Sequence, residues 1–158
     1  MNKSIIKNLL IVFTLTLTSC SYEPVFLKKD YGFELNTIDL LGEKDVNRII
    51  DDRLKLIKKS KDNKKNSFDL KINSNKQKNI ISKNSQGDPL KFELVLLTNF
   101  EIIKDNKILL NREIEKKYIY NNVSDKFKLE QNEKNIINNL AEKISEVIIS
   151  LILNINDS

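Results

Sequence analysis

From residue 32 onward the chain alternates between two kinds of apolar spacing. Phe33, Leu35 and Thr37 are separated by Glu34 and Asn36, the period-2 pattern of a half-buried strand, so residues 32–40 read as a strand that Gly42 ends. Val46, Ile49, Ile50, Leu54 and Ile57 then recur at helical spacing and predict a helix over 44–59 with one buried face. Asp45 near its start and Lys58 and Lys59 at its end suit the helix dipole. Residues 60–66 are all polar or charged and read as a loop.

Phe68, Leu70 and Ile72 form a second strand with its even-numbered residues facing inward. Ser74, Lys76 and Lys78 then occupy positions where a core strand places apolar groups, so the stretch to Ile81 is expected to project beyond the packed body. Asn84 to Pro89 has the composition of a turn. Phe92, Leu94, Leu96, Thr98, Phe100 and Ile102 make the longest alternating run, that of a central strand. A fourth strand presents Ile108, Leu110, Ile114, Tyr118 and Tyr120, interrupted by Arg112 and Lys116. Even positions must face even positions across this hairpin, which predicts an odd-length loop such as Asp105-Asn106-Lys107, with residue 106 or 107 left-handed. Ser124 is a candidate N-cap for a long helix marked by Phe127, Ile136, Ile137, Leu140, Ile144, Val147, Ile148, Leu151 and Ile152.

The element order predicts an α+β domain: a four-stranded antiparallel or mixed sheet with two helices packed on one face. The other face carries Val95, Leu97, Leu109 and Ile119, either scattered surface hydrophobes or a partner interface.

The first residues read differently. Lys3 and Lys7 precede an apolar run that closes on Thr18-Ser19-Cys20, the layout of a secretory signal. As a helix, Asn8 to Ser19 would cover roughly 18 Å against a hydrocarbon core of about 30 Å, too little to span. Leu17-Thr18-Ser19-Cys20 resembles the bacterial lipobox, which implies cleavage before Cys20 and acylation of that residue. The chain thus divides into a signal peptide (1–19), a lipidated tether (20–31) and a domain (32–158). Ser21, rather than Asp, after the cysteine points by the same resemblance to the outer membrane, facing the periplasm.

Composition narrows the chemistry. The chain contains no His and a single Cys, which removes Ser-His-Asp, Cys-His and His-zinc sites, and no metal site or cofactor is expected. The formal charge is +5, from 27 basic and 22 acidic residues. The lysines are scattered among acidic residues rather than gathered in a block, so nucleic acid is not an expected partner. The nearest carboxylate pairs, Asp51 with Asp52, Glu113 with Glu115 and Asp125 with Glu130, are accounted for by solvated helix faces and strand edges. An enzyme is not expected.

Cys20-Ser21-Tyr22-Glu23-Pro24-Val25-Phe26 resembles the Cys-Gly-Phe-x-Pro-Leu-Tyr opening of the LptE family of lipopolysaccharide-assembly lipoproteins, with Ser in place of Gly. Tyr118-x-Tyr120-Asn121, Ser124-x-x-Phe127 and Leu140-Ala141-Glu142-Lys143-Ile144 extend the resemblance along the mature chain. It implies a four-stranded sheet with two helices, a non-catalytic role as plug and partner of an LptD-like outer-membrane barrel, and binding of lipopolysaccharide. An accessory lipoprotein of another lipid-transport system, or an envelope scaffold, would carry the same lipobox and a similar body. Lipopolysaccharide has a dense anionic head, so Lys76, Lys78 and Lys83, close to Lys91, are candidate ligand contacts, with Arg112 and Lys116 as a second set. Mass spectrometry of the membrane form is expected to find Cys20 as the first residue, carrying lipid; an unmodified Cys20 with Lys3 still attached would sink the lipoprotein reading.

Overall fold

The computed structural model describes residues 33–57 and 66–156. The signal peptide, Cys20 and the tether, the expected helix end at Lys58 and Lys59, and loop residues 60–65 lie outside the described residues. Six elements follow in order: β1 (Phe33–Gly42), α1 (Lys44–Lys55), β2 (Asn66–Lys83), β3 (Pro89–Lys104), β4 (Lys107–Asn121) and α2 (Lys126–Asn156). The sheet order is β1-β2-β3-β4. β1 is parallel to β2 and the other pairs are antiparallel, which makes the sheet mixed.

The core lies between one face of this sheet and the two helices. All six expected inward residues of β3, Phe92 to Ile102, are buried. They meet Leu129, Ile136, Leu140, Ile144, Ile148 and Ile152, which recur along α2 at helical spacing. Val46, Ile50 and Leu54 of α1 close the β1 side, where Phe33 and Phe68 stack edge to face at 6.0 Å. Each such side chain contributes roughly 1.5–3 kcal/mol when fully buried, so this single layer is the main source of stability.

Several local expectations are corrected. The α1 hydrogen-bonded helix stops at Lys55, followed by a turn through Ile57. In β1 the register shifts between Leu35 and Ile38, so Thr37 is exposed and Ile38 and Leu40 take the helix side. The α2 cap is Asp125, not Ser124: its Oδ1 accepts the N–H groups of Phe127 and Lys128 at 3.1 and 3.2 Å. Phe127, expected on the buried stripe, is 68% exposed.

The β3–β4 hairpin solves its parity problem another way. Its loop is the two-residue Asp105-Asn106, both left-handed at φ 50° and 60°, and Lys104 pairs with Lys107. Asp and Asn tolerate this conformation, and its twist matches the flanking strands. The faces come back into step through a bulge: Ile103 pairs with Ile108 while Ile102 pairs with Leu110, leaving Leu109 as the extra residue. Ile108 therefore shares the open-face register with Ile103 and is exposed, contrary to its expected inward position. Tyr118 keeps the helix-side register opposite Leu94, yet it too is exposed, because a cleft separates it from α2.

β2 departs furthest from expectation. Ser74 is buried: its Oγ donates to Asn47 Oδ1 at 2.7 Å and accepts the Glu43 N–H at 3.1 Å. Asn47 in turn donates to the Leu41 carbonyl at 3.0 Å. This junction forces the chain to turn from β1 into α1 directly against β2, with Gly42 at φ +93°. A Cβ there would fall 1.9 Å from the Ser74 carbonyl oxygen, whereas one on Gly87, at φ +91°, would meet nothing within 4 Å. Gly87→Ala should therefore cost about 1–2 kcal/mol of conformational strain. Gly42→Ala adds a backbone clash to the same strain and should cost at least twice as much, read as the difference in urea midpoints between the two variants.

Candidate interaction surfaces

The helix-side lysines of β2 are held by Glu43, which precedes α1, and by Glu133 of α2 rather than projecting from the body. Lys76 is half-buried, with its Nζ 3.4 Å from Glu43 Oε2. Lys78 donates to Glu133 Oε1 at 2.5 Å and lies 4.2 Å from the centre of the Phe92 ring. Tyr120 Oη donates to the same carboxylate oxygen at 2.7 Å, and Phe92 packs against Tyr120 at 5.7 Å. Glu133 thus ties the first turns of α2 to two strands. Burial first, then the adjacent Glu133 carboxylate, raises the Tyr120 hydroxyl well above its ordinary value of 10.0.

Lys83 remains at the β2–β3 turn. Its neighbour Ser82 pairs with Lys91, and both lysines are exposed. At the strand rise, Lys78 lies ~17 Å and Lys76 ~23 Å back from Lys83, so the expected cluster of three separates. Lys83 and Lys91 are what the fold brings together. Ile80, Ile81, Leu90, Val123 and Phe127 are also exposed at this end. Asn122 fastens it, donating its N–H to the Leu90 carbonyl and its Nδ2 to the Pro89 carbonyl, both at 2.8 Å. This end therefore combines cations with exposed apolar side chains, a conjunction that sequence spacing missed because its parts come from three elements.

Arg112 and Lys116 pair with Phe100 and Leu96 and so share the helix-side register on the outermost strand. Arg112 is exposed and Lys116 half-buried, which places them at the rim rather than inside the core. Next to Lys116 along this rim, Tyr118 opens into a cleft of about 450 Å³ between β4 and α2, lined also by Asn132, Asn135, Asn139 and Lys143. The carboxamides reached this cleft unnoticed in the sequence because asparagine is abundant throughout the chain.

On the open face, Val95 lies between Gln77 and Lys117, Leu97 between Asn75 and Glu115, and Ile119 opposite Glu93. Val95 and Leu97 are half-buried, Ile119 and Leu109 exposed. Leu109 belongs to the β3–β4 hairpin end, near Ile103 and Ile108, and the Asn99–Glu113 and Glu101–Asn111 pairs separate it from the other three. The four residues therefore form two apolar islands divided by polar rows, not one patch.

Among the described residues, no group of His, Cys, Asp and Glu could hold a metal ion, and no helix is long and apolar enough to cross a membrane. No protein-family model and no curated protein matches the chain. Solved structures do. A lipoprotein B from Nitrosomonas europaea superposes with a TM-score of 0.61 at 13% identity, covering 83% of this chain and 90% of its own. The rare lipoprotein B from Shewanella oneidensis gives 0.54 at 18% identity, with 76% and 98% covered. A minor lipoprotein from Acinetobacter baumannii gives 0.53 at 20%, with 76% and 92% covered. The chain has the fold of these lipoproteins.

Tyr120→Phe removes a hydrogen bond to a carboxylate and should cost about 1.5–3 kcal/mol near neutral pH. The raised hydroxyl adds a pH signature. The unfolded tyrosine ionises first, so its contribution is complete below 10.0 and is lost as pH rises from there toward the higher folded value. Urea unfolding at neutral and strongly alkaline pH should show the gap between wild type and Tyr120→Phe narrowing at the alkaline end.

Proposed function

We propose that this protein is an outer-membrane lipoprotein, anchored through Cys20, that assists lipopolysaccharide assembly as plug and partner of an LptD-like barrel and binds lipopolysaccharide without catalysis. The observation that carries the ligand half of this reading is the end of the molecule where Lys83 and Lys91 stand among exposed Ile80, Ile81, Leu90, Val123 and Phe127. Lipopolysaccharide is itself phosphates joined to acyl chains. Cations neutralise the first and apolar side chains shield the second, so one surface serves both halves of the ligand. Arg112 and Lys116 on the β4 rim offer a second cationic stretch.

The partner half is supported by the sheet's open face. Two helices cover one side, leaving Val95, Leu97 and Ile119 as one island and Leu109 as part of another. Polar rows between apolar islands suit the wet, mixed interior of a barrel better than a dry homodimer interface. The fold shared with the solved lipoproteins supports the lipoprotein part of the reading.

Binding of lipopolysaccharide to the purified protein at low and high salt tests the ligand half. Lys83→Glu/Lys91→Glu should weaken binding by about tenfold at low salt, with less effect at high salt. Arg112→Glu/Lys116→Glu locates the rim's share by the same assay. Undiminished binding in both double variants refutes ligand capture by these cations. Co-purification from detergent-solubilised outer membrane tests the partner half: Leu97→Asp should lower recovery of a barrel protein while leaving the fold intact. Recovery of a different partner would favour an accessory lipoprotein of another system.

A further inference from the structure

A second surface lies on the outer side of the helices. α1 and α2 run toward the same end of the molecule, and between them opens an apolar groove of about 390 Å³. Its walls are Leu56, Ile57, Ile149 and Leu153, with Ser150 on the rim; the Arg53–Glu142 ion pair, 2.5 Å long, stands at one end. Ser150 is too small to fill the space in front of it, and Leu56 is 45% exposed.

The other end of the groove lies where the chain enters the domain. Phe33 pairs with Asn66, and Asn66 Nδ2 donates to Asn156 Oδ1 at 2.8 Å, beside the groove residues Leu153 and Asn154. Immediately before this entry come Val25, Phe26 and Leu27, three consecutive large apolar residues. The six links from Leu27 to Phe33 reach up to about 20 Å, and the groove from Glu142 to Asn154 spans ~18 Å along α2. Charge agrees as well: Lys28 and Lys29 follow the apolar triplet, and Glu146 lines the groove beside the Arg53–Glu142 pair.

We propose that Val25-Phe26-Leu27 docks in the groove between α1 and α2, strapping the N-terminal tether along the helices. A volume near 390 Å³ is in the range that holds a small ligand, enough for the Phe26 ring and a flanking aliphatic side chain. Docking shortens the tether. The thirteen links from Cys20 to Phe33 could reach ~43 Å, but only five links join Cys20 to Val25, or about 17 Å, so the strap would hold the domain close to the bilayer in one orientation. This inference goes beyond the proposed function and requires only that residues 20–32 remain in the mature chain.

The tether carries its own reporters, Lys28 and Lys29. Limited trypsin digestion of the mature protein in detergent, read by mass spectrometry, should show slow cutting after Lys29 in the wild type. Ser150→Trp, which fills the groove from an exposed position and leaves the core untouched, should raise that rate by about tenfold without changing cutting after Lys83. As an independent measurement, Phe26→Cys/Leu153→Cys should form an intramolecular disulfide about tenfold faster than Phe26→Cys/Leu97→Cys, whose second cysteine lies on the opposite face of the sheet. Equal cutting in wild type and Ser150→Trp, or equal disulfide rates, overturns the proposal. The mass of the N-terminal peptide in the same sample reports the lipid on Cys20, so a failure of processing is told apart from a failure of docking.

Discussion

Side chains alternate across a strand, and this period-2 constraint decides where almost every functional group of the protein ends up. β3 keeps an unbroken alternation from Phe92 to Ile102, and its neighbours shift only near their ends: β2 between Ile80 and Ser82, β4 between Ile102 and Ile103 of the shared ladder. A slip of one residue sends everything beyond it to the other face. The β4 bulge thereby turns Ile108 outward, while Ile80, still in register with Phe92, and Ile81, at the β2 irregularity, are both exposed beside the turn. Between the middle of the open face and the β3–β4 hairpin the surface is polar, with Asn73 opposite Asn99 and Glu101 opposite Asn111. Apolar surface is thus interrupted by these polar rows, with the Val95–Leu97–Ile119 island on one side of them and the Ile103–Ile108–Leu109 island on the other.

Several polar residues within the helix-covered region are placed where a neighbouring element satisfies them, whereas the buried Thr98 hydroxyl has no partner among the described residues. Ser74 and Asn47 bond each other and the turn from β1 into α1, a small network in which each polar group answers another. Lys78 keeps its charge outside the apolar layer by stretching over Phe92 to reach Glu133, which also accepts from Tyr120. Removing either partner would leave the other without its counterpart, whereas Lys83 has no comparable structural task. The distinction matters for function. A lysine engaged within the fold must break that contact to meet an anionic ligand, while an exposed one need shed only water.

The six elements and the inward faces of α1, β2 and β3 were legible in the sequence because burial on one side leaves a periodic record. Phe68, Leu70 and Ile72, and the whole run from Phe92 to Ile102, are buried as their spacing requires. What escaped was information that a single strand does not carry. Ser74 reads as solvent-facing until Asn47, 27 positions away in the chain, supplies its partner. The loop at Asp105-Asn106 looked a residue too short because parity can be restored at a distance, by Leu109, as well as within the loop itself. Tyr118 matched the core pattern, but whether a helix covers an outer strand depends on packing angles that alternation does not encode. The candidate cations were recognised by type, while their grouping depended on which of them met carboxylates from other elements.

These placements give the molecule a polarity. The chain enters β1 beside Asn66 and Asn156, at the β3–β4 hairpin end, whereas Lys83 and Lys91 stand at the opposite end of β2 and β3. The 18 residues of β2 from Asn66 to Lys83 amount to ~56 Å of strand, and α2 bridges much of that length, held by Glu133 near its start and Asn156 at its end. A helix fastened at both ends over a continuous ladder resists bending between them. In the proposed function, that rigidity separates attachment from ligand contact: the tether governs the entry end, and the cationic, apolar end is presented at a distance from it. Flexible linkage would let the ligand end fold back toward the anchor, so the long β2–β3 ribbon has a functional reason for extending past the reach of α1.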